Sequence, residues 1–260
     1  MARLAASIAP APASDRAAWS ETTLIVVGHG SARDGVGGKV ARGHVRALAE
    51  RRLFAGVELA MLHGEPTLAA ALAAAGEGPI CLLPFLMADG IVNRRRLPAA
   101  LADGIGDKAD GDRLRLCPPL GLNPGLASLI AGRAGREIER RRWRAGDTAL
   151  LLVAHGSGRD QASARAAWAQ QRAIAALGRF AEVQTAFLEQ PPYLDETLAS
   201  ARGPLAGVGL FAGEGQHETV DVADTFAAAR GTVVYCGAVG ADPGIPDLML
   251  KHLRLAAPLT

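Results

Sequence analysis

The chain carries the same ordered set of motifs twice. Residues 22–34 read TTLIVVGHGSARD, and 126 positions further on residues 148–160 read TALLLVAHGSGRD. The same spacing lays residues 57–66 (VELAMLHGEP) onto 183–192 (VQTAFLEQPP). A spacing of 125 lays residues 84–92 (PFLMADGIV) onto 209–217 (GLFAGEGQH), and one of 119 lays 117–125 (CPPLGLNPG) onto 236–244 (CGAVGADPG). Four matches in one order, with small drifts in spacing, mark a tandem duplication. Such a chain must fold as two like units.

Each unit has the same rhythm. An apolar, β-branched run ends at His-Gly-Ser, and a helix is predicted after it, over residues 39–52 and 160–177. Second strands are predicted over 57–62 and 183–188, with Pro-started helices over 66–75 and 192–202. Third strands follow at 80–86 and 207–212, and fourth strands at 114–117 and 233–236. A last helix opens at Asn123-Pro124 and again at Asp242-Pro243, with Asn or Asp as cap and Pro in the first turn. Short apolar strands alternating with helices imply parallel sheets covered on both faces. The expected fold is α/β: two tandem, similar α/β/α domains with a cleft between them. Residues 1–21, rich in Ala and Pro, are expected to be a flexible tail. Residues 22–146 form the first domain and 147–260 the second, joined near 144–147 behind a basic helix over 136–144.

Composition narrows the function. With 260 residues, 49% hydrophobic and 21% charged, the chain is long and apolar enough for real cores. Its net charge of +2 gives no global case for a nucleic-acid partner. Cys81, Cys117 and Cys236 form no CxxC pair and no disulfide framework, so a reducing cytoplasm is expected. No apolar run approaches the roughly 18 residues of a membrane helix. There is no GxSxG elbow, no GxGxxG after the first strand and no GxxxxGK[ST] loop, which argues against a serine hydrolase or a bound nucleotide.

Parallel α/β sheets bind ligands at the carboxyl ends of their strands. His29, His63, His155 and Glu189 fall at such ends, and His217 follows the third strand of the second half after a Gly-rich turn. Two imidazoles and a carboxylate at neighbouring strand ends suit either a divalent metal with open positions or acid–base work near neutral pH. The first half keeps less of the set. His29 matches His155, but His63 stands for Glu189, Val92 for His217 and Arg96 for Asp221. The run Arg94-Arg95-Arg96 suits bidentate capture of carboxylates, or a solvated helix start.

With these residues in view, the sequence resembles the sirohydrochlorin chelatases of the CbiX/SirB type, within the class II chelatases, in their two-domain form. The resemblance rests on VVGHGSARD and LLVAHGSGRD, on AFLEQPP, on PFLMADG and on GEGQHETVD, and it runs from about residue 22 to the end. It implies insertion of Co2+ or Fe2+ into sirohydrochlorin or a related tetrapyrrole, in cobalamin or sirohaem biosynthesis, without a nucleotide. It implies His155 and His217, with Glu189 beside them, as catalytic and metal-holding residues, and His29 as a further metal ligand. Ser31, Ser157, Arg33, Arg159 and Arg94–Arg96 are then expected at the substrate. The partner is the tetrapyrrole, not nucleic acid or membrane, and the protein is expected as a monomer or homodimer. Because the complete set lies in the second half, the chemistry is expected there, facing the cleft. The alternative is a degenerate relative that binds metal or tetrapyrrole without turnover.

Overall fold

The structure is a computed structural model that describes residues 19–30, 38–105, 113–158, 160–213 and 216–255, with backbone alone for 105 and 216–220. The first half runs β1 (Thr23–Gly30), α1 (Lys39–Ala49), β2 (Gly56–His63), α2 (Leu68–Ala74), β3 (Ile80–Pro84), α3 (Leu97–Ile105), β4 (Leu114–Leu116) and α4 (Leu126–Arg140). The second half repeats it: β5 (Ala149–Ala154), α5 (Ala162–Ala175), β6 (Glu182–Phe187), α6 (Leu194–Ser200), β7 (Leu205–Gly209), α7 (Gln216–Ala228), β8 (Val233–Ala238) and α8 (Ile245–Leu255). All pairings are parallel, and the strand orders β2-β1-β3-β4 and β6-β5-β7-β8 correspond one to one. The predicted fold class is therefore found: two tandem α/β domains, each on a parallel sheet.

The central strands are apolar on both faces because both faces are covered. Alternation along β1 sends Leu24 and Val26 to one core and Ile25 and Val27 to another. Along β5, Leu150, Leu152 and Ala154 enter the first of these same cores, while Leu151 and Val153 face a third. The outer cores are private to each half, α2 and α3 covering one and α6 and α7 the other. The middle core is shared. It takes side chains from β1 and β5 and from the helices α1, α4, α5 and α8 that lie between the sheets.

The last helix of each half crosses to the other half. The helix α4 packs on β7, β8 and α5, all of the second half. The helix α8 packs on α1 of the first half, and Arg51, just past α1, pairs with Asp247 of α8 at 2.6 Å. Polar contacts follow the same exchange. His44 Nε2 of α1 meets Gly240 O at 2.7 Å, and Gln170 Nε2 of α5 donates to Gly121 O at 3.0 Å. Gly121 and Gly240 sit so close to the chain after β3 and β7 that a Cβ would lie 2.1 Å from Met87 O and 2.2 Å from Ala212 O. Only glycine permits that approach.

Several boundaries differ from the sequence expectation for local reasons. The helices α4 and α8 begin at residues 126 and 245, after a tight turn closed by the side chains of Asn123 and Asp242, which accept from Gly125 N and Gly244 N at 2.8 and 2.9 Å. The Pro66 and Pro192 segments are also turns, each following a cis peptide bond, and α2 starts behind Thr67, whose hydroxyl accepts from Ala70 N. The stretch expected as a basic helix over 136–144 is the last turn of α4 and a short turn leading to Ala145–Asp147. Within the segment expected as a tail, residues 1–18 lie outside the described residues. Trp19 does not behave as a tail: it is buried and stacks on Phe54 at 5.2 Å.

Candidate functional site at the strand ends

Both motif histidines sit where a central strand opens into a left-handed glycine. Gly30 has φ 73° and Gly156 has φ 75°, and a side chain at either would strike His63 O or Gln190. The turn folds the following carbonyl back onto the imidazole. His29 Nδ1 lies 2.9 Å from Gly30 O, and His155 Nδ1 lies 3.2 Å from Gly156 O. A carbonyl only accepts, so Nδ1 carries the proton in both rings. That leaves each Nε2 lone pair free for a metal or a proton.

In the second half a carboxylate joins this ring. Glu189 Oε2 is 3.5 Å from His155 Nδ1, and the backbone fixes the approach because Glu189 N donates to His155 O at 2.9 Å. Both side chains are open to solvent, 44% and 58% exposed. Beside the pair, Ser157 N donates to Gln190 Oε1 at 2.8 Å, and Ser157 Oγ accepts from Asp160 N at 3.2 Å. One residue before Gln161, the N-cap of α5, Asp160 Oδ1 accepts from Ala162 N at 2.9 Å. The Oδ2 atom of Asp160 reaches the first half and accepts from Ile91 N at 3.1 Å, tying the two strand-end regions together.

In the first half the corresponding place is occupied differently. His63, the last residue of β2, packs its ring 5.2 Å from that of His29. The guanidinium of Arg96 contacts His63 Nε2. Desolvation holds the His63 imidazole below its ordinary pKa, and the neighbouring His29 and Arg96 push the same way. His63 is thus a neutral acceptor whose Nε2 lone pair is spent on Arg96. Arg94 is tied to Asp89 at 3.0 Å, and Asn93 donates to the same carboxylate at 2.8 Å. Arg94 and Asn93 therefore hold the Asp89 carboxyl below its usual range. Arg95 and Arg96 are exposed and make no ion pair among the described residues.

Of the expected site residues, the structure brings His155 and Glu189 together, and His29 and His63. His217 lies in the first turn of α7, but its side chain is outside what is described, as are Ser31, Arg33 and Arg159 altogether. Among the described residues no three His, Cys, Asp or Glu side chains form a ready metal cluster. A surface cavity of about 480 Å³ opens beside the end of β6, lined by Phe187, Leu188, Tyr193, Asp195 and Thr225 among others. Sequence reasoning gave no role to Asp160 or Gln190. The Arg-Asp pair that closes both copies of the first motif was the available signal for Asp160; nothing marked Gln190.

Two like α/β domains, with histidines at equivalent ends of parallel sheets and crossed terminal helices, define a duplicated chelatase-like protein. The sequence matches the CbiX family over residues 23–137 and 149–256, and the chain belongs to that family. Among curated proteins it is 25% identical to the probable sirohydrochlorin cobaltochelatase of Halobacterium salinarum, over 88% of this chain and 89% of the relative. Among solved structures it is similar to CbiX, described as the terminal enzyme for biosynthesis of sirohaem in denitrifying bacteria. The TM-score is 0.73 at 25% identity, over 90% of this chain and 99% of that one. SirB from Bacillus subtilis with Fe3+ shares the fold, with TM-score 0.76 at 16% identity over 91% and 96%. Among the described residues no helix is long and apolar enough to cross a membrane.

Proposed function

We propose that this protein inserts a divalent metal, Co2+ or Fe2+, into sirohydrochlorin or a related tetrapyrrole of cobalamin or sirohaem biosynthesis, and that the second half does the chemistry. The observation that carries this reading is the His155–Glu189 pair. His155 Nδ1 donates to the Gly156 carbonyl, so the neutral ring offers its lone pair at Nε2, and a carboxylate stands 3.5 Å from the ring. The family membership and the named activity of the Halobacterium relative support the same reading.

Insertion exchanges one M2+ for two pyrrole N–H protons, so the site must present lone pairs twice. It must hold the incoming metal substrate and then accept protons. The Nε2 atom of His155 suits both tasks, since one lone pair serves either a metal or a proton. Glu189 adds negative charge beside the ring, which favours a dication on arrival and stabilises an imidazolium afterwards. His217 is proposed as the second imidazole, because its backbone begins the helix that follows β7 at the same sheet end. Imidazole and carboxylate donors accept Co2+ and Fe2+ alike.

The test is an anaerobic absorbance assay with purified protein, sirohydrochlorin and either Co2+ or Fe2+. Metallation faster than the spontaneous rate, lost in His155→Ala, is the expected result. A perturbed tetrapyrrole spectrum without acceleration would replace the enzyme by a binding protein.

A further inference from the structure

We infer that the strand ends of the first half are an anion site, built to take carboxylate groups of the ligand and closed to a second metal. This deepens the tetrapyrrole reading and rests on it for the source of the carboxylates. The two halves are superposable in sequence, so the exchange of chemistry between them can be followed position by position. Glu189 is matched by His63 and Asp221 by Arg96, so two carboxylates give way to an imidazole and a guanidinium. The new pair is assembled in space, not merely in sequence: Arg96 donates to His63 Nε2, the atom by which His63 would ligate a metal. An arginine is always protonated, so it cannot yield that position to a cation, and it repels one that approaches.

Among the described residues the positive charge is left uncompensated. Arg95 and Arg96 are exposed and pair with no carboxylate among the described residues. Two described acids near by, Asp89 and Glu65, are engaged elsewhere. Asp89 is taken by Arg94 and Asn93, and Glu65 turns its carboxylate back to accept from Thr67 N at 3.0 Å. Arg94 is therefore a neutralised member of the cluster, while Arg95 and Arg96 remain available for the planar, bidentate hold that guanidinium gives a carboxylate. The Asp160–Ile91 hydrogen bond joins this loop to the His155 loop, so a ligand held by its carboxylates on one half is presented to the other.

The test uses the full chain and a metal-free octacarboxylate porphyrin, with its methyl ester as the uncharged control, in fluorescence titrations. An Arg95→Ala/Arg96→Ala variant is expected to bind the polycarboxylate at least tenfold more weakly, with ester affinity unchanged. Arg94→Ala is expected to change either by less than threefold. A separate Co2+ titration without porphyrin is expected to keep its stoichiometry in His63→Ala and in the double variant, and to lose it in His155→Ala. Unchanged polycarboxylate affinity in the double variant, or an equal loss in Arg94→Ala, overturns the inference, as does loss of Co2+ in His63→Ala. Failure of metal insertion alongside arginine-dependent polycarboxylate binding removes the enzyme reading and leaves the anion site in place.

Discussion

His44 and Gln170 hold the same position in the two repeats, and each reaches into the opposite half for the same atom. His44 Nε2 lies 2.7 Å from Gly240 O, and Gln170 Nε2 lies 3.0 Å from Gly121 O and 3.3 Å from Asn123 O. Both side chains are buried, 8% and 4% exposed, so water cannot replace them. Removing one leaves a buried carbonyl unsatisfied, which costs about 1–3 kcal/mol. Gln170→Ala should therefore lower unfolding free energy by about that much. Because the middle core is common to both halves, urea unfolding should stay a single transition. Two separated transitions would show that the halves are energetically independent.

Acidification should act through three imidazoles. Burial holds His44 and His252 below the ordinary value of 6.5, and desolvation does the same for His63. At His44 the Gly240 carbonyl and Asp242 oppose that shift without overcoming it. A folded-state pKa below the unfolded one means that the unfolded chain binds the proton more readily. The stability these groups contribute is complete above about pH 6.5 and drains away as pH falls through their lowered folded values. Exchanging His44 for the residue its own repeat partner uses, His44→Gln, keeps a donor for Gly240 O and removes one titrating group. Thermal unfolding between pH 5 and 8 should show a shallower acid limb in that variant. An unchanged limb would remove His44 from the account.

The fourth-strand turns show how far the sequence could be read. The repeat, the succession of apolar runs along the chain and the His-Gly-Ser strand ends were legible because short apolar runs and turn glycines are local signals. Asn123 and Asp242 were read as caps of the last helices, which start instead at residues 126 and 245, and their partners across the halves were not visible. Asn123 meets His252 of α8 at 2.9 Å, and Asp242 meets Arg133 and Arg136 of α4. Both pairs exist only because the terminal helices cross between halves. Two repeats with like faces offer each helix two equivalent docking surfaces, and only tertiary packing chooses. The Arg96–His63 contact was hidden for the same reason, since 33 residues separate its members.

That difference between the two turns has an energetic consequence. Asp242 is a 2% exposed carboxylate between two guanidiniums, whereas Asn123 is neutral in the matching place. Taking away the carboxylate strands Arg133, whose side chain is 19% exposed, without its counter-charge. Breaking a buried pair by removing one partner costs about 3–5 kcal/mol, so Asp242→Ala should approach that loss. Asn123→Ala, a neutral hydrogen-bond loss, should cost about 1–3 kcal/mol. Denaturant midpoints of the two variants compared side by side check the order, and a larger loss at Asn123 would contradict it.

In the strand-end site, His155→Ala and Glu189→Gln should separate chemistry from folding. Both side chains are substantially exposed, so stability should move little. A positioned proton acceptor typically contributes 10²–10⁴-fold, so metal insertion by His155→Ala should fall by about that range. Glu189→Gln keeps the shape and removes the charge beside the ring, and a smaller loss, on the order of tenfold, is expected from a charge that acts on the imidazole and the metal without replacing them. Initial rates of metallation with saturating tetrapyrrole provide the measurement. Full activity in His155→Ala would assign the chemistry elsewhere.

The crossed helices make the first half depend on the end of the chain. The helix α8 buries Ile245, Leu248, Met249, Leu250 and Leu253, and it packs on α1 in the shared middle core. Fully buried aliphatic side chains contribute about 1.5–3 kcal/mol each, so losing all five removes about 8–15 kcal/mol. A whole domain is stable by only about 5–15 kcal/mol. A chain ending at residue 244 should therefore lose native packing in the first half, even though every strand of both sheets is still encoded. Hydrogen exchange on that truncated chain should show lost protection in β1 and α1 as well as near the cut. Adding a synthetic peptide of residues 245–260 should restore it. Retained protection in β1 would mean that the first sheet is sealed without the helix it borrows.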